Sequence, residues 1–242
     1  MSMKTDIVRS PLVTLSERDA MYGVFSRYYV NADAARFEAD LKEKDWVIQL
    51  RNEALEMVGF STLQLYEHAG SAGKAMIIYS GDTIIDREYR LTGNLPGAFG
   101  HFLVRTIEAY PGTPVYWLLT TKGARTYRFP PVFFRTFYPV HDQQTPQPLQ
   151  ALMDEVATEK FGADYSAETK IVDHHGKRDW LCASEHDPML LGRDDPHIRF
   201  FLERNPGYIR GDELVCLTEI SKGNLNARGR RVINHTEVQW RE

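Results

Sequence analysis

The stretch IIYSGDTIIDREYRLTGNLPGAFGHFLVRTIEAY, residues 77–110, decides the fold of this 242-residue chain. It begins as an apolar strand and ends as a helix with an apolar stripe. That stripe consists of Phe99, Phe102, Leu103, Ile107 and Tyr110. The turn between them contains glycine and proline, so its backbone can approach an anion at the helix start, where unpaired N–H groups point outward. Because the same residues suit any strand-to-helix turn, the stretch alone leaves both interpretations open.

The composition indicates a protein with a real core. Hydrophobic residues make up 43% of the chain and charged residues 26%. This length fits one large domain, or an ordinary domain with a substantial addition. The net charge of −4 does not favour a general nucleic-acid binder. The two cysteines, Cys182 and Cys216, make no disulfide framework and predict reduced thiols. With neither a signal-like start nor a run of about 18 apolar residues, we expect a cytoplasmic protein without a membrane span.

The elements on either side of the opening stretch follow from capping and periodicity. Thr14 and Glu17 form a capping-box pattern that starts a first helix, and residues 32–45 predict a second. Strands are predicted over residues 46–52, 57–68, 74–86 and 114–121. The short spacing of the first three implies antiparallel hairpins. An aromatic stretch over residues 122–138 is expected to be helical in its first part, until Pro130 and Pro131.

The second part of the chain follows a stretch rich in proline and glutamine. We predict a domain over residues 1–140, a linker over 141–150 and an extension over 151–242 that packs on the first domain. An apolar helical stripe supports that packing, because it needs a partner surface: Leu149, Leu152, Met153 and Val156. Three roles stay open for the extension: covering the acceptor side of a cleft, forming a homodimer surface, or making a small second lobe.

The sequence resembles the GNAT superfamily of N-acyltransferases over roughly residues 12–140. The family carries a loop V-x-P-x-x-R-x-x-G-x-G/A between its fourth strand and a helix, and IDREYRLTGNL matches it at Ile85, Arg90 and Gly93. Arg87 stands where the family has proline. Leu95 stands where the family has a second small residue, which the following Pro-Gly replaces. TTKGARTYRF is similar to the family's N-x-x-A-x-x-x-Y, one residue short.

The resemblance implies an α/β (α+β) fold with a mixed, mostly antiparallel sheet flanked by helices, and an acyl-CoA or acetyl-CoA site. Pyrophosphate would bind at the turn, through these residues: Arg90, Leu91, Thr92, Gly93, Asn94, Leu95 and Gly97. The exposed backbone of Ile84, Ile85 and Asp86 would pair with pantetheine like an added strand. The acyl carbonyl would then lie in a splay between this strand and the strand over residues 114–121.

Three residues are candidates for the chemistry that the resemblance implies. Tyr127 corresponds to the family's acid tyrosine and would protonate the leaving thiolate, whereas Asp82 and Glu88 are candidate bases for the amine. Each also has an ordinary interpretation. Tyr127 fits a core or surface tyrosine, Asp82 a turn residue, and Glu88 a solvated loop charge.

The expected function is acyl transfer from acyl-CoA, or from an acyl-carrier protein as partner, to the amine of a small molecule. The alternative is a non-catalytic binding or regulatory protein that has lost or altered CoA binding. No metal is expected, because His174 and His175 are adjacent and would point apart on a strand, and no HxxxH or CxxC spacing occurs. The arginines at 228, 230 and 231 predict a solvated basic loop.

Overall fold

The computed structural model describes residues 3–92, 94–186 and 194–242. Its helices of four or more residues are α1 (Leu15–Tyr28), α2 (Ala34–Lys42), α3 (Asn94–Ala109), α4 (Ala124–Tyr127), α5 (Phe129–Phe133), α6 (Gln147–Phe161), α7 (Pro196–Arg204) and α8 (Ala227–Asn234). None of the helices within these ranges has the length and apolar character needed to cross a membrane. The capping box predicted for α1 is present, since the Glu17 amide donates to Thr14 Oγ1 at 3.3 Å and the Thr14 amide to Glu17 Oε2 at 2.8 Å.

The strands are β1 (Lys4–Arg9), β2 (Tyr29–Val30), β3 (Trp46–Arg51), β4 (Met57–Gly70), β5 (Gly73–Ile85), β6 (Val115–Thr121), β7 (Tyr165–Ser166), β8 (Ile171–Val172), β9 (Trp180–Leu181), β10 (Glu213–Glu219) and β11 (Gln239–Arg241). Within the described ranges, nine of them form one sheet in the order β11-β1-β3-β4-β5-β6-β10-β8-β7. The β5–β6 and β1–β11 pairs are parallel and the other pairs of this sheet are antiparallel. The predicted mixed, mostly antiparallel sheet flanked by helices is therefore confirmed.

Helices cover both faces of this sheet. On one face, α3 places Phe99, Phe102 and Leu103 in a core with Ile78 and Trp117. The other face carries α1 and α2 over one half and α6 over the other half. Tyr79 of β5 lies on this second face and packs in the α6 cluster. It pairs with Gln64 of β4, which lies on the same face as Thr62 because the two residues are two positions apart. Thr62 in turn pairs with Val47, a residue of the α1–α2 core. On this face a cleft opens between the end of α2 and the end of α6.

Residues beyond 150 complete the sheet. Strand β10 pairs with β6 from Leu214↔Thr121 to Glu219↔Tyr116, and β11 pairs with β1. Residues 147–150 of the predicted linker are the first turn of α6. The boundaries at residues 140 and 150 stay a prediction, although strands from both sides of them lie in the same sheet.

One local prediction needs correction, and one strand was missed. The basic stretch expected as a loop is helix α8, which Asn226 caps by accepting a hydrogen bond from the Gly229 amide at 2.9 Å. The strand β1 was not predicted, because residues 4–9 alternate little: four of the six are buried in succession, with Asp6 among them. Asp6 is held there by Arg51, whose Nη1 lies 2.8 Å from its carboxylate.

Candidate active site

A splay between β5 and β6 forms the floor of the cleft. The two strands pair in parallel from Met76↔Val115 to Ser80↔Leu119. Beyond that point β5 stays paired with β4 as far as Ile85, while β6 stays paired with β10 as far as Thr121. The two strand ends therefore diverge, and a cleft of about 380 Å³ opens between them. Such a divergence leaves strand edges free to pair with a ligand.

Asp82 enters this cleft from a β-bulge. The register of β5 against β4 shifts between Ser61 and Leu63, so that Gly81 and Asp82 together lie opposite Thr62. Asp82 lines the cleft and is half-buried. Removal from water raises the pKa of its carboxyl to about 6, although the charge of Lys122 acts in the opposite direction. Asp82 is thus ionised at neutral pH and can accept a proton there.

A buried chain of charges lies beside Asp82. Lys122 Nζ is 2.7 Å from Asp179 Oδ2 and 3.6 Å from Glu213 Oε1. Burial disfavours the ammonium of Lys122, but the two carboxylates outweigh burial and raise its pKa. Burial also opposes ionisation of Glu213, yet Lys122 and His174 lower its pKa to about 2. Lys122, Asp179 and Glu213 therefore place fixed charges beside Asp82.

The two adjacent histidines lie just after β8 and not on a strand, and they have different partners. His174 Nε2 lies 3.3 Å from Glu213 Oε1 and its Nδ1 lies 3.2 Å from Asp164 Oδ2. Burial lowers the pKa of His174, but these carboxylates, led by Glu213, raise it overall. His175 instead pairs with Asp173 at 3.3 Å on the exposed surface. The Lys122–Glu213–His174 chain was missed from the sequence, where its members are separated by dozens of residues and follow no motif.

Arg90, the cation predicted beside a pyrophosphate, is engaged by a carboxylate. Its Nη2 lies 2.6 Å from Glu185 Oε2, and Arg87 Nη2 lies 2.7 Å from Glu185 Oε1. The side chain of Glu185 is only 6% exposed. Arg90 Nε also donates to the Ile85 carbonyl at 2.9 Å, which is a group predicted to pair with pantetheine. In this conformation Glu185 therefore pairs with the Arg90 guanidinium, the cation that a bound phosphate would need.

The other predicted binding residues are spread along the turn. Leu91 is 96% exposed, and the Thr92 amide donates to the Tyr89 carbonyl at 3.2 Å. Leu95 is buried and lines the cleft. Ile84 and Ile85 line the cleft as well, and Ile84 also packs in the α1–α2 core. The Asp86 amide donates to the Val58 carbonyl, and Asn94 Nδ2 donates to Thr5 Oγ1. Gly93 lies outside the described residues.

Three other predicted site residues are absent from the described wall of the cleft. Tyr127 is fully buried and its hydroxyl donates to the Pro139 carbonyl at 2.9 Å, so it does not line the cleft and cannot meet a leaving thiolate. Glu88 lies in the exposed turn Arg87–Tyr89 and does not line the cleft. Gly97 lies against the segment after α8, because a Cβ atom at this position would overlap Thr236.

Two parallel strands that diverge inside a mostly antiparallel sheet, with a strand–turn–helix at the divergence, are the arrangement that the resemblance implied. The sheet and its splay agree with the fold that the resemblance to the GNAT superfamily implied. No model of a known protein family matches the sequence, and no curated protein matches it.

Several solved structures are similar to part of the chain. One is a conserved protein of unknown function from Enterococcus faecalis V583, described as a probable N-acyltransferase, with a TM-score of 0.42 and 13% identity over 57% of this chain and 33% of that chain. The matched region is thus a third of the Enterococcus protein. A GNAT family N-acetyltransferase from Escherichia coli in complex with CoA has a TM-score of 0.39 and 13% identity over 53% of this chain and 69% of that chain. NAA60 from Arabidopsis thaliana in complex with acetyl-CoA has a TM-score of 0.40 and 12% identity over 60% of this chain and 92% of that chain.

Proposed function

We propose that this protein transfers an acyl group from acyl-CoA, or from an acyl-carrier thioester, to the amine of a small molecule. The observation that carries the proposal is the position of Asp82, a carboxylate with a raised pKa on a β-bulge inside the splay of two parallel strands. A thioester that pairs with the free edge of β5 would bring its carbonyl carbon to this point. Asp82 would then face the amine that attacks it.

The reaction needs one base, one set of donors for an oxyanion and one proton for the leaving group. The amine nitrogen attacks the thioester carbonyl as Asp82, directly or through water, accepts an amine proton. The tetrahedral intermediate then collapses, the C–S bond breaks, and the thiolate leaves with a proton. Because Tyr127 is enclosed in the core, the proton that Asp82 accepts passes through water to the thiolate, and this transfer restores the carboxylate of Asp82.

A second candidate function rests on a separate observation. Glu185 neutralises Arg90, and Arg90 donates a hydrogen bond to the Ile85 carbonyl. These polar groups of the turn therefore have partners without a bound nucleotide. This favours a non-catalytic binding protein on the same fold. The two candidates differ in whether a thioester is consumed.

The test uses the full chain. Calorimetry measures the binding of CoA, acetyl-CoA and a long-chain acyl-CoA, and a free-thiol assay follows thioester consumption with a panel of small amines. We expect binding that weakens as salt rises, because the phosphates are held by charge, and release of free thiol that depends on the amine. Absence of thiol release, with or without CoA binding, would favour the second candidate. Absence of both binding and release would refute both the CoA site and acyl transfer from CoA.

A further inference from the structure

Two lysines converge on one aromatic ring in the wall of the cleft. Lys44, just after α2, and Lys160, in the last turn of α6, lie 5.7 Å and 4.1 Å from the centre of the Tyr79 ring. Each ammonium donates to a neutral oxygen, Lys160 to Gln64 Oε1 at 2.7 Å and Lys44 to the carbonyl of Asp40 at 2.9 Å. Cations stack favourably on an aromatic ring, so the pair is held in place without a carboxylate.

Three other described cations of the cleft wall are paired with acids. Lys122 pairs with Asp179, Arg90 with Glu185, and Arg178 with Asp40 at 2.8 Å. Within the described ranges, neither Lys44 nor Lys160 is in an ion pair. Burial and the neighbouring charge of Lys44 lower the pKa of Lys160 to about 8, although the charges of Glu43 and Asp40 act against this. Asp40, Glu43 and Asp82 act on the two lysines through space, but none of these carboxylates forms a described ion pair with them. Because each ammonium contacts only neutral oxygens and an aromatic ring, the pair can still accept an anion by direct contact.

The position of the pair relative to Asp82 identifies the side of the cleft. Lys44 Cε lies 2.9 Å from the point where a Cβ of Gly81 would be, next to Asp82 in the bulge. Both lysines lie on the face of α1, α2 and α6, whereas the predicted pyrophosphate turn leads into α3 on the opposite face. A group bound to the lysines would therefore approach the splay from the side away from the predicted CoA turn.

We propose that the acceptor amine also carries an anionic group, a carboxylate or a phosphate, which binds between Lys44 and Lys160 and presents the amine to Asp82. This inference rests on the proposed function, and it names the class of acceptor: an amino acid or an amino phosphate rather than a plain amine. The lysines hold the charge of the acceptor, while Asp82 receives its proton.

The first test measures binding of anions that carry no amine and so cannot be acylated. Calorimetry on the full chain compares succinate and inorganic phosphate with succinamide, a neutral analogue of succinate. We expect binding of at least one anion and none of succinamide. Lys160→Met and Lys44→Met, which keep the alkyl chain, should each weaken anion binding about tenfold or more. Lys42→Met is the matched control, because Lys42 is exposed at the end of α2, and it should leave binding unchanged.

Several results would overturn the proposal. These are equal binding of succinamide, unchanged binding by both lysine variants, or displacement of the bound anion by CoA, which would assign the lysines to the thioester side. The preference between succinate and phosphate separates the two kinds of anionic group.

The second test measures turnover. Thiol release from acetyl-CoA is compared for 4-aminobutyrate and its neutral amide, and the Lys160→Met variant should raise the KM for the charged acceptor while leaving that for the amide unchanged. A wild-type protein that turns over the amide as well as the acid contradicts the inference. Anion binding without any thioester turnover would instead leave the anion site standing and remove the proposed function.

Discussion

At the scale of single residues, the environment of Asp82 decides its chemistry. From the sequence alone, Asp82 fits an ordinary turn residue equally well. In the structure a β-bulge places it in the cleft, where burial raises the pKa of its carboxyl to about 6. A carboxyl with this pKa is ionised at neutral pH and still accepts a proton more readily than a solvated one. Lys122, fixed by Asp179 and Glu213, prevents the pKa from rising further.

Replacing Asp82 by Asn should lower the rate of acyl transfer by about 10²- to 10⁴-fold, since the variant has no base at the splay. The base works in its ionised form, so the wild-type rate should fall as pH falls through about 6, and the variant should lose this dependence. Steady-state rates between pH 5 and pH 8 measure both effects. Glu88→Gln, at an exposed turn, is the control and should stay within a few-fold of wild type. If the rate of the Asp82→Asn variant still falls as pH falls through about 6, the base is a residue other than Asp82.

Tyr127 shows how a plausible acid becomes a structural residue. Its hydroxyl donates to the buried end of a loop at Pro139, and its ring lies 5.7 Å from that of Phe201. Tyr127→Phe should lower the free energy of unfolding by about 1 to 3 kcal/mol, because the Pro139 carbonyl loses its partner. Denaturant unfolding measures this loss. Tyr110→Phe, at a partly exposed site, should have almost no effect.

The same Tyr127→Phe variant should keep an acyl-transfer rate within a few-fold of wild type. A large loss of rate in a variant of unchanged stability would restore the acid role that the sequence suggested.

At the scale of elements, the turn over residues 86–92 and the short helix Ala183–Glu185 form one unit. Glu185 joins them through Arg87 and Arg90, and Tyr28 at the end of α1 donates to Asp86 Oδ1 at 2.8 Å. The turn thus has a fixed conformation from internal contacts before any nucleotide binds. A phosphate has to compete with a carboxylate that is already desolvated.

Glu185→Gln should therefore strengthen CoA binding by about tenfold, because Arg90 is released from a charge-assisted contact. Calorimetry with CoA at low and moderate salt measures the change, and Glu203→Gln, on the exposed side of α7, is the control. If Glu185 only supports the fold, the variant would bind CoA no better and would unfold at a lower temperature.

At the scale of the whole molecule, the stretch after residue 145 is part of the central sheet. Strand β10 is the neighbour of β6, and α6 buries Leu152, Met153 and Val156 against β5 and β10. The Trp240 ring packs on Trp46 at 5.6 Å and lies near Phe102. These contacts join both ends of the chain to one core.

Truncation after residue 145 should therefore give an aggregated or unfolded protein, because it exposes the edge of β6 and the apolar face that α6 covers. Size-exclusion chromatography and thermal denaturation followed by circular dichroism measure this. Removal of residues 239–242 alone, which deletes only an edge strand, should give a folded monomer of lower Tm. A protein truncated after residue 145 that stays monomeric and as heat-stable as the full chain would show that the first 145 residues fold independently.

The sequence by itself determined the elements whose signal is local. The change of period within residues 77–110, the capping box at Thr14 and Glu17, and the closely spaced strands β3 to β5 each depend on neighbours along the chain. The mixed sheet, the splay and Asp82 as a candidate base came instead from the resemblance to the GNAT superfamily.

Only the tertiary structure decided which distant residues meet. Glu185 reaches Arg90 across 95 positions, His68 lies between glutamates of α6, and Lys122 pairs with Asp179 and Glu213. Tyr127 is enclosed because α7 covers it, and β10 lies beside β6 although 91 residues separate the end of one strand from the start of the other. Charge pairing and burial depend on three-dimensional distance, and no local pattern encodes that distance when the chain returns to the same place from so far away.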